Sequence, residues 1–479
     1  MLNIPSIHCS SKASSRLKWL VAPIAASLVG LLAIAPAQAS LYDLGVYKGG
    51  GDYQLVPNFE TWMGAQVPRA LDFYSSSTWT DLQDNAWLLN SWKGKRWAMT
   101  FSIAMLPGDG TGTLAAGAAG SYNAYWTKIA QNLVNAGFGS ATLRIGWEFN
   151  GGWYKWAASG SPANYATYFQ KIVTTMRAVS GANFRFDWCS ALGYQQFPAE
   201  QAYPGDAYVD VIGTDAYNQS WITNYTDPIA RWQDLYSGNH GILYWIQFAR
   251  THNKPISFPE WGTGTRPDGH GGGDDPYFVQ QMYNVISTNN VAYHDYWDYP
   301  ASDYNGQLSN NQYPNAGAMF LQTFGQSMIT GKFQARTFET EALVVAAVSG
   351  PTPRIFVDSH LSGGEGSILD STAVGNYVTY TVPNVPAATY SVRVGIKKTT
   401  TRGIWQLAIG RADNFSGTQS NVGSPQDEYA AADTFTEVTL GNWTPGTTSD
   451  KWFQFKVTGK NASSTNYSIA FDYIKLVPQ

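Results

Sequence analysis

Two glutamates in this sequence stand where a short apolar run meets tryptophan and glycine. Glu148 is closely followed by Asn150, Trp153 and Trp156, and Glu260 is followed directly by a Trp-Gly pair. Aromatic surroundings hold the apolar face of a sugar ring and raise the pKa of a buried carboxyl group. Two carboxyl groups about 5–5.5 Å apart cleave glycosidic bonds with retention, and a wider gap gives inversion. The pair therefore predicts acid-catalysed sugar chemistry.

The segments around these glutamates alternate short apolar runs with helical patterns, from about residue 41 to residue 335. The runs predict seven strands: Tyr42–Tyr47, Arg96–Met105, Thr142–Trp147, Phe184–Ser190, Val209–Thr214, Pro255–Phe258 and Ala292–Trp297. An eighth strand is expected near Asn58–Met63. Such an alternation over roughly 300 residues is typical of an α/β fold, the (β/α)₈ barrel. Glu148 would follow the fourth strand and Glu260 the seventh, so the two side chains would converge across the mouth of the barrel.

Two helices are readable from their spacing. Aromatic and aliphatic residues recur at helical intervals from Tyr122 to Leu133, with Gly137 just beyond them. Ser161-Pro162 predicts a helix start, and a buried stripe then runs from Tyr165 to Met176. Each helix lies between two predicted strands, as the barrel requires.

The pattern changes after residue 336, where helical spacing gives way to alternating strands separated by Gly, Pro, Asn and Thr clusters. Residues 336–479 therefore predict an all-β sandwich that follows a barrel at residues 40–335. No long Pro/Ser linker separates the two regions, so we expect them to touch.

The first 39 residues read as a signal peptide. A basic segment with Lys12, Arg16 and Lys18 precedes an apolar run, and small residues follow at Ala37 and Ala39. An uncleaved anchor is the alternative interpretation. Cleavage predicts a secreted protein, extracellular or periplasmic, without further membrane association.

Composition narrows the classes of partner. The chain has a formal net charge of −4, which becomes more negative without the first 39 residues, so it offers no basic surface for nucleic acid. Only 13% of residues are charged while 15% are aromatic. Of the two cysteines, Cys9 leaves with the signal and Cys189 reads as an inert core thiol. These features favour a carbohydrate partner and a monomer stabilised by its core.

The ordered motifs resemble glycoside hydrolase family 26, a group of retaining (β/α)₈ enzymes that act mainly on β-mannans. The similarity is carried by Arg144…Glu148-Phe-Asn-Gly-Gly-Trp-Tyr-Lys-Trp156, Phe186-Asp-Trp-Cys189, Tyr203…Tyr217 and Pro255-Ile-Ser-Phe-Pro-Glu260-Trp-Gly262. The resemblance implies that Glu148 is the general acid/base and Glu260 the nucleophile, with no cofactor for catalysis. It also implies a hydrogen bond from Tyr217 to the nucleophile and a sugar platform at Trp297.

Further sugar contacts are expected from the same motifs, each beside a structural alternative. Arg144 either contacts substrate or neutralises acids in the barrel, and Asp215 either meets sugar or supports Tyr217. Trp153 and Trp156 are platforms or packing residues, and Asn150 is a further candidate contact. The loop Gly269–Asp275 reads as a mobile cleft loop or, less favoured, a cation site.

One position departs from the family pattern. Mannanases of this family usually place His directly before the acid/base residue, and this chain has Trp147, which becomes a candidate sugar contact. The departure affects substrate choice and leaves the two carboxylates intact. β-1,3-Xylan, mixed-linkage β-glucan and bacterial exopolysaccharide therefore stand beside β-mannan as substrates.

The C-terminal region resembles the carbohydrate-binding modules of families 6 and 35. The similarity lies in Glu339-Thr-Glu341-Ala, Gly375…Pro383 and Phe471-Asp472-Tyr-Ile-Lys-Leu476. It implies a structural Ca²⁺ held by Glu339, Glu341 and Asp472, since oxygen ligands suit this hard ion. Solvated strand-edge charges are the alternative, and Trp405 or Trp443 could stack on sugar or belong to the core.

Together these observations favour a secreted retaining endo-β-glycosidase with a polysaccharide substrate. Two alternatives stay open. One is a non-catalytic glycan-binding protein, and the other is an enzyme of the same mechanism that transfers sugars within the cell's own exopolysaccharide.

Overall fold

A computed structural model describes residues 43–411 and 419–479. The predicted signal peptide and Cys9 lie outside these ranges. Within them, no helix combines the length and apolar character needed to cross a membrane.

Eight parallel strands close into a barrel in sequence order, with β1 pairing β8. The strands are β1 Leu44–Tyr47, β2 Arg69–Phe73, β3 Ala98–Ile103, β4 Thr142–Ile145, β5 Arg185–Ala191, β6 Val211–Tyr217, β7 Ile256–Gly262 and β8 Val291–Trp297. They are buried almost throughout, which explains why their sequences read as continuous apolar runs rather than alternating ones. The predicted α/β barrel is confirmed.

Helices connect the barrel strands and shield them from solvent. They are α1 Val56–Met63, α2 Trp79–Gln83, α3 Ala86–Trp92, α4 Leu114–Ala118, α5 Asn123–Asn135, α6 Pro162–Arg177, α7 Pro228–Ser237, α8 Ile242–Thr251, α9 Pro276–Thr288, α10 Pro314–Phe320 and α11 Gln326–Thr330. Helices α5 and α6 are the two that the sequence spacing predicts. Helix α6 begins at Pro162 and buries the stripe from Tyr165 to Met176.

The strand expected near Asn58–Met63 is wrong. These residues belong to α1, which buries Val56, Phe59 and Met63 at helical spacing. The second strand is β2 instead, and its Asp72 is buried because it accepts hydrogen bonds from the backbone of Gly51 and the indole of Trp92, at 2.8 and 2.6 Å. Asp72 interrupts the apolar pattern of this five-residue strand. Its partners lie too far away in sequence for a local pattern to show that the acid is buried.

Two antiparallel sheets form the predicted C-terminal β domain. One sheet has the order β10-β13-β18-β15-β16 and the other β11-β12-β19-β14-β17, with β9 pairing β19. The strands are β9 Arg336–Glu339, β10 Val344–Ser349, β11 Arg354–Val357, β12 Glu365–Leu369, β13 Tyr377–Val385, β14 Tyr390–Lys398, β15 Gly403–Arg411, β16 Ser420–Asp427, β17 Thr434–Trp443, β18 Ser449–Lys460 and β19 Ile469–Pro478. Trp405 is fully buried between the sheets and donates to Glu428, so it is a core residue.

The barrel and the β domain touch directly. The buried guanidinium of Arg336 donates to the carbonyl of Ser287 in α9 at 2.6 Å. Arg250 of α8 donates to the carbonyl of Ala342, and Gln233 of α7 donates to that of Ser359. Helices α7 to α9 therefore form the barrel's side of the contact.

Candidate active site

Glu148 lies just beyond β4 in an unusual backbone conformation. Its φ is +51°, and Gly146 before it has a φ of +58°. A side chain at Gly146 would lie 2.4 Å from the sulfur of Met105, so glycine is required there. The amide of Glu148 donates to the carbonyl of Cys189 at 2.9 Å, which secures the turn to β5. Left-handed backbone at a residue other than glycine is concentrated at functional sites, and here it aims a carboxyl group.

Glu260 lies within β7 and is almost completely buried. Its Oε1 accepts a hydrogen bond from Arg144 Nη2 in an ion pair, and its Oε2 accepts one from the Tyr217 hydroxyl at 2.6 Å. Arg144 comes from β4 and Tyr217 from the end of β6. Each oxygen of Glu260 is therefore held in place, and the carboxylate has a neighbouring positive charge.

Arg144 is fully buried and serves two acids at once. The same Nη2 also donates to Asp215 Oδ2 at 3.0 Å, and Cys189 Sγ lies 3.4 Å from Asp215 Oδ1. Burial alone would lower the pKa of Arg144, but Asp215 and Glu260 raise it well above its ordinary value. Burial raises the pKa of Asp215, and Arg144 opposes this. In the structure Arg144 neutralises acids in the barrel, and Asp215 orients Arg144 rather than Tyr217.

Glu148 has an environment that suits a general acid. Burial raises the pKa of its carboxyl group to about 7, and the negative charge of Glu260 adds to the effect. Arg144 and a hydrogen bond from Trp153 act in the opposite direction. The two glutamates are thus close enough to influence each other, and their surroundings differ as an acid and a nucleophile require.

Trp153 is the exposed member of the tryptophan pair that follows Glu148. Its side chain is 53% exposed, and its indole Nε1 donates to Glu148 Oε2 at 2.9 Å. The ring folds over Gly151, where a methyl group would lie 2.2 Å from a ring carbon. The absence of a side chain at Gly151 therefore permits the contact between the indole of Trp153 and the carboxyl group of Glu148.

Trp147 and Trp156 are buried beside each other. Trp147 donates to the Tyr154 hydroxyl at 3.2 Å, and its ring lies 5.3 Å from the guanidinium carbon of Arg144. Trp156 donates to the carbonyl of Trp147 and stacks on Tyr154 at 4.4 Å. Trp156 is therefore a packing residue, while Trp147 presents an aromatic wall to Arg144.

Asn150 is engaged by the backbone of β5. Its amide nitrogen donates to the carbonyl of Ala191 at 2.9 Å, and its amide oxygen accepts from the same residue's N–H at 2.8 Å. Both polar groups of this buried side chain are thus committed. The structure gives Asn150 a role in fixing the Glu148 loop instead of the sugar contact expected from its position.

Trp297 ends β8 and stacks on Tyr47 at the end of β1, with ring centroids 4.5 Å apart. Tyr217 meets it edge-on at 6.0 Å, and Phe73 at the end of β2 does so at 6.1 Å. The sequence reasoning missed Tyr47, Phe73 and Tyr154. The available signal was Tyr47 at the end of the first predicted strand, since barrel side chains at that position face the mouth. Phe73 gave no such signal, because β2 was not predicted.

The two acidic residues of the loop Gly269–Asp275 form hydrogen bonds and an ion pair with nearby residues. Asp275 begins α9 by accepting from the amides of Tyr277 and Phe278, and it also pairs with Arg231. Asp274 accepts from the amides of Asn315 and Ala316. Both acids thus have partners that explain them without a cation.

The predicted calcium ligands lie at the start and end of the β domain, where Glu341 and Asp472 are buried and Glu339 is partly buried. Burial raises the pKa of Glu339 to about 8 and that of Asp472 to about 7, and it raises that of Glu341 well above its ordinary value. Within the described part, both carboxylate oxygens of Glu341 have no hydrogen-bond partner. Among the same residues, however, no group of three His, Cys, Asp or Glu side chains is arranged to hold a metal. The calcium site stays a prediction.

One family model matches a part of the chain. Residues 116–240 match the model of glycosyl hydrolase family 26, and no curated protein matches the chain. Among solved structures, a modular endo-β-1,4-mannanase from Cellulomonas fimi is 18% identical, with 84% of this chain and 89% of that chain covered and a TM-score of 0.41. The catalytic domain of a Bacillus sp. JAMB-750 family 26 endo-β-1,4-mannanase is 16% identical over 59% of this chain and 89% of that one, with a TM-score of 0.40.

A Paenibacillus xanthan lyase is 33% identical over 30% of this chain and 13% of its own, with a TM-score of 0.27. This chain thus spans a small part of that protein. The family match covers Glu148, Trp153 and Tyr217. Together with the paired glutamates, the match of residues 116–240 to glycosyl hydrolase family 26 supports a glycoside hydrolase.

Proposed function

We propose that this protein is a secreted, retaining endo-β-glycosidase that hydrolyses a β-linked polysaccharide, with β-mannan as the first candidate. The observation that carries the proposal is the unequal pair of glutamates. Glu148 has a raised pKa of about 7, whereas Glu260 is paired with Arg144 and hydrogen-bonded by Tyr217. A retained proton on one carboxyl group and a compensated charge on the other are what double displacement needs.

In the first step Glu148 donates its proton to the glycosidic oxygen as the bond from that oxygen to the anomeric carbon breaks. An oxygen of Glu260 attacks the same carbon and forms a glycosyl-enzyme ester. Arg144 and Tyr217 orient Glu260 for this attack. In the second step Glu148, now ionised, removes a proton from water, which attacks the anomeric carbon and releases Glu260.

The choice of β-mannan rests on the family match, and Trp147 favours a second candidate substrate. Trp147 turns its only polar group to Tyr154 and places an aromatic face near Arg144 and Phe73. A histidine would supply hydrogen bonds to a sugar at this position, and an indole wall does not. β-1,3-Xylan, mixed-linkage β-glucan or a bacterial exopolysaccharide is therefore the alternative, with the same mechanism.

The remaining parts of the proposal follow the sequence. Residues 1–39 direct secretion, residues 40–335 form the catalytic barrel, and residues 336–479 form a carbohydrate-binding module. The carboxylates of Glu339, Glu341 and Asp472 would hold Ca²⁺ in this module. The ion would supply the positive charge that these carboxylates lack. The protein acts as a monomer on its polysaccharide.

The test is polysaccharide hydrolysis by the wild type and by Glu260→Ala. We expect reducing-sugar release from one of galactomannan, β-1,3-xylan, mixed-linkage β-glucan or xanthan, and its loss in the variant. Proton NMR of the first products should show the β-anomer, as retention requires. Activity of Glu260→Ala near the wild-type rate, or an α-anomer as first product, would overturn the mechanism. Binding without hydrolysis would favour the non-catalytic alternative.

A further inference from the structure

Trp221 carries a largely exposed indole on the barrel. It lies in the loop after β6, four residues beyond Tyr217, and 57% of its surface is exposed. Four residues of chain span at most about 14 Å, so Trp221 lies within a few sugar lengths of the residue that orients Glu260. An indole left in water forgoes the free energy of burial, and its flat apolar face suits stacking on the apolar face of a sugar.

The loop that carries Trp221 is joined to the loop after β7. Gln219 forms a β-bridge with Gly271, and the amide of Ser220 donates to the carbonyl of His270 at 3.2 Å. His270 Nδ1 also lies 2.9 Å from the carbonyl oxygen of Ser220. These contacts fix the backbone on which the indole stands. A fixed ring loses little conformational entropy when a ligand stacks on it.

The surroundings of the indole leave room for a ligand. His270 stacks on Trp221 with centroids 5.5 Å apart and an interplanar angle of 24°, and the guanidinium of Arg266 lies 5.3 Å from the ring centre. A ring covered on both faces would keep only its edge in solvent, so the observed exposure requires an open face. Arg266 forms an ion pair with Asp268, which neutralises its charge, and it donates a hydrogen bond to the side chain of Gln219. The open surface is thus an uncharged aromatic face.

We propose that Trp221 forms a distal sugar-binding subsite on the barrel, which takes a neutral β-linked pyranose several units from the bond being cleaved. This inference rests on the proposed function and adds a binding position that the two glutamates do not define. The apolar face of the pyranose stacks on the open face of the indole. A long chain can reach both Glu260 and Trp221, whereas a short substrate fills only the positions next to the glutamates.

The test compares Trp221→Ala and Trp221→Phe on a long and a short substrate. For the polysaccharide that the wild type cleaves, we expect the alanine variant to raise KM about 3- to 10-fold with kcat retained, as the loss of one stacking contact predicts. The phenylalanine variant should stay within about twofold of wild type, because it keeps a ring. Both variants should hydrolyse an aryl monoglycoside of the same sugar like the wild type. An unchanged KM for the polymer, or an equal loss on the aryl glycoside, would overturn the subsite.

A binding measurement separates this inference from the proposed function. Native gels are cast with each of the four polysaccharides in turn, and at least one of them should retard Glu260→Ala. Adding Trp221→Ala should weaken that retardation. If the wild type hydrolyses none of the four polysaccharides but retardation still depends on Trp221, the subsite is retained and the glycosidase is rejected. Retardation that is identical with and without Trp221 would reject the subsite alone.

Discussion

The indole of Trp153 donates a hydrogen bond to Oε2 of Glu148 at 2.9 Å. Burial and the charge of Glu260 favour the protonated acid, whereas the charge of Arg144 and this bond favour the ionised carboxylate. The pKa of about 7 is the result of this opposition. The exposed tryptophan, which is also an expected sugar contact, therefore lowers the pKa of the acid.

Trp153→Phe should raise the pKa of Glu148, because the ring stays and the donor is lost. Glu148 must be protonated in the first step, so kcat/KM should fall as pH rises through its pKa. The alkaline limb of the pH profile, expected near pH 7 in the wild type, should move upward in this variant by about half a unit to one unit. Profiles of kcat/KM from pH 5 to 9 measure the shift.

Gly151→Ala provides the matched comparison. Its methyl group would push the indole away from Glu148 while leaving the indole N–H in the chain. The alkaline limb should move in the same direction as in Trp153→Phe. An unmoved limb in both variants would show that the hydrogen bond does not adjust the acid.

Glu148→Ala should slow hydrolysis according to the leaving group. With a polysaccharide, whose departing alkoxide needs a proton, we expect a loss of about 10²–10⁴-fold in kcat. With a 2,4-dinitrophenyl glycoside, which departs without a proton, formation of the glycosyl-enzyme should stay near the wild-type rate. Stopped-flow release of dinitrophenol reads this step. Equal losses on the two substrates would contradict the role of Glu148 as acid.

Glu148→Gln should stabilise the fold at alkaline pH. The pKa of Glu148 is raised on folding, so its folded form binds a proton more tightly, and wild-type stability falls as pH rises through about 7. Glutamine removes that loss, which is worth about 1–3 kcal/mol at pH 8. Urea unfolding at pH 8 should show the gain, and at pH 4 the gain should vanish. A variant less stable than wild type at pH 8 would contradict the raised pKa.

Calcium removal should lower the thermal stability of the full chain. The charges of Glu339 and Asp472 raise the pKa of Glu341, and a bound Ca²⁺ would offset this repulsion. The melting temperature after EDTA treatment should recover with Ca²⁺, and Glu341→Gln should abolish this response. Mg²⁺, which demands a smaller octahedral site, should restore less. A melting temperature that ignores both EDTA and Ca²⁺ would remove the metal from the proposal.

Sequence reasoning placed both glutamates at strand ends because apolar runs and their terminating residues are local features. It missed β2, because the acid within that strand is satisfied by Gly51 and Trp92, and such partners are invisible in a short window. It also assigned Asn150 to sugar, since residue spacing does not show that both amide groups bind the backbone of Ala191. The type of a residue was predictable, but its partner across the fold was not.

The direct contact between barrel and β domain, through Arg336 and Arg250, ties the β domain to the helices that surround the barrel. A module on a flexible tether would only raise the local concentration of polymer around the cleft. If the β domain is the carbohydrate-binding module proposed above, its fixed place against α7 to α9 would also set the angle at which a bound chain arrives. Polysaccharide chains have distinguishable ends, so a fixed angle would favour one direction of the chain in the barrel mouth over the other.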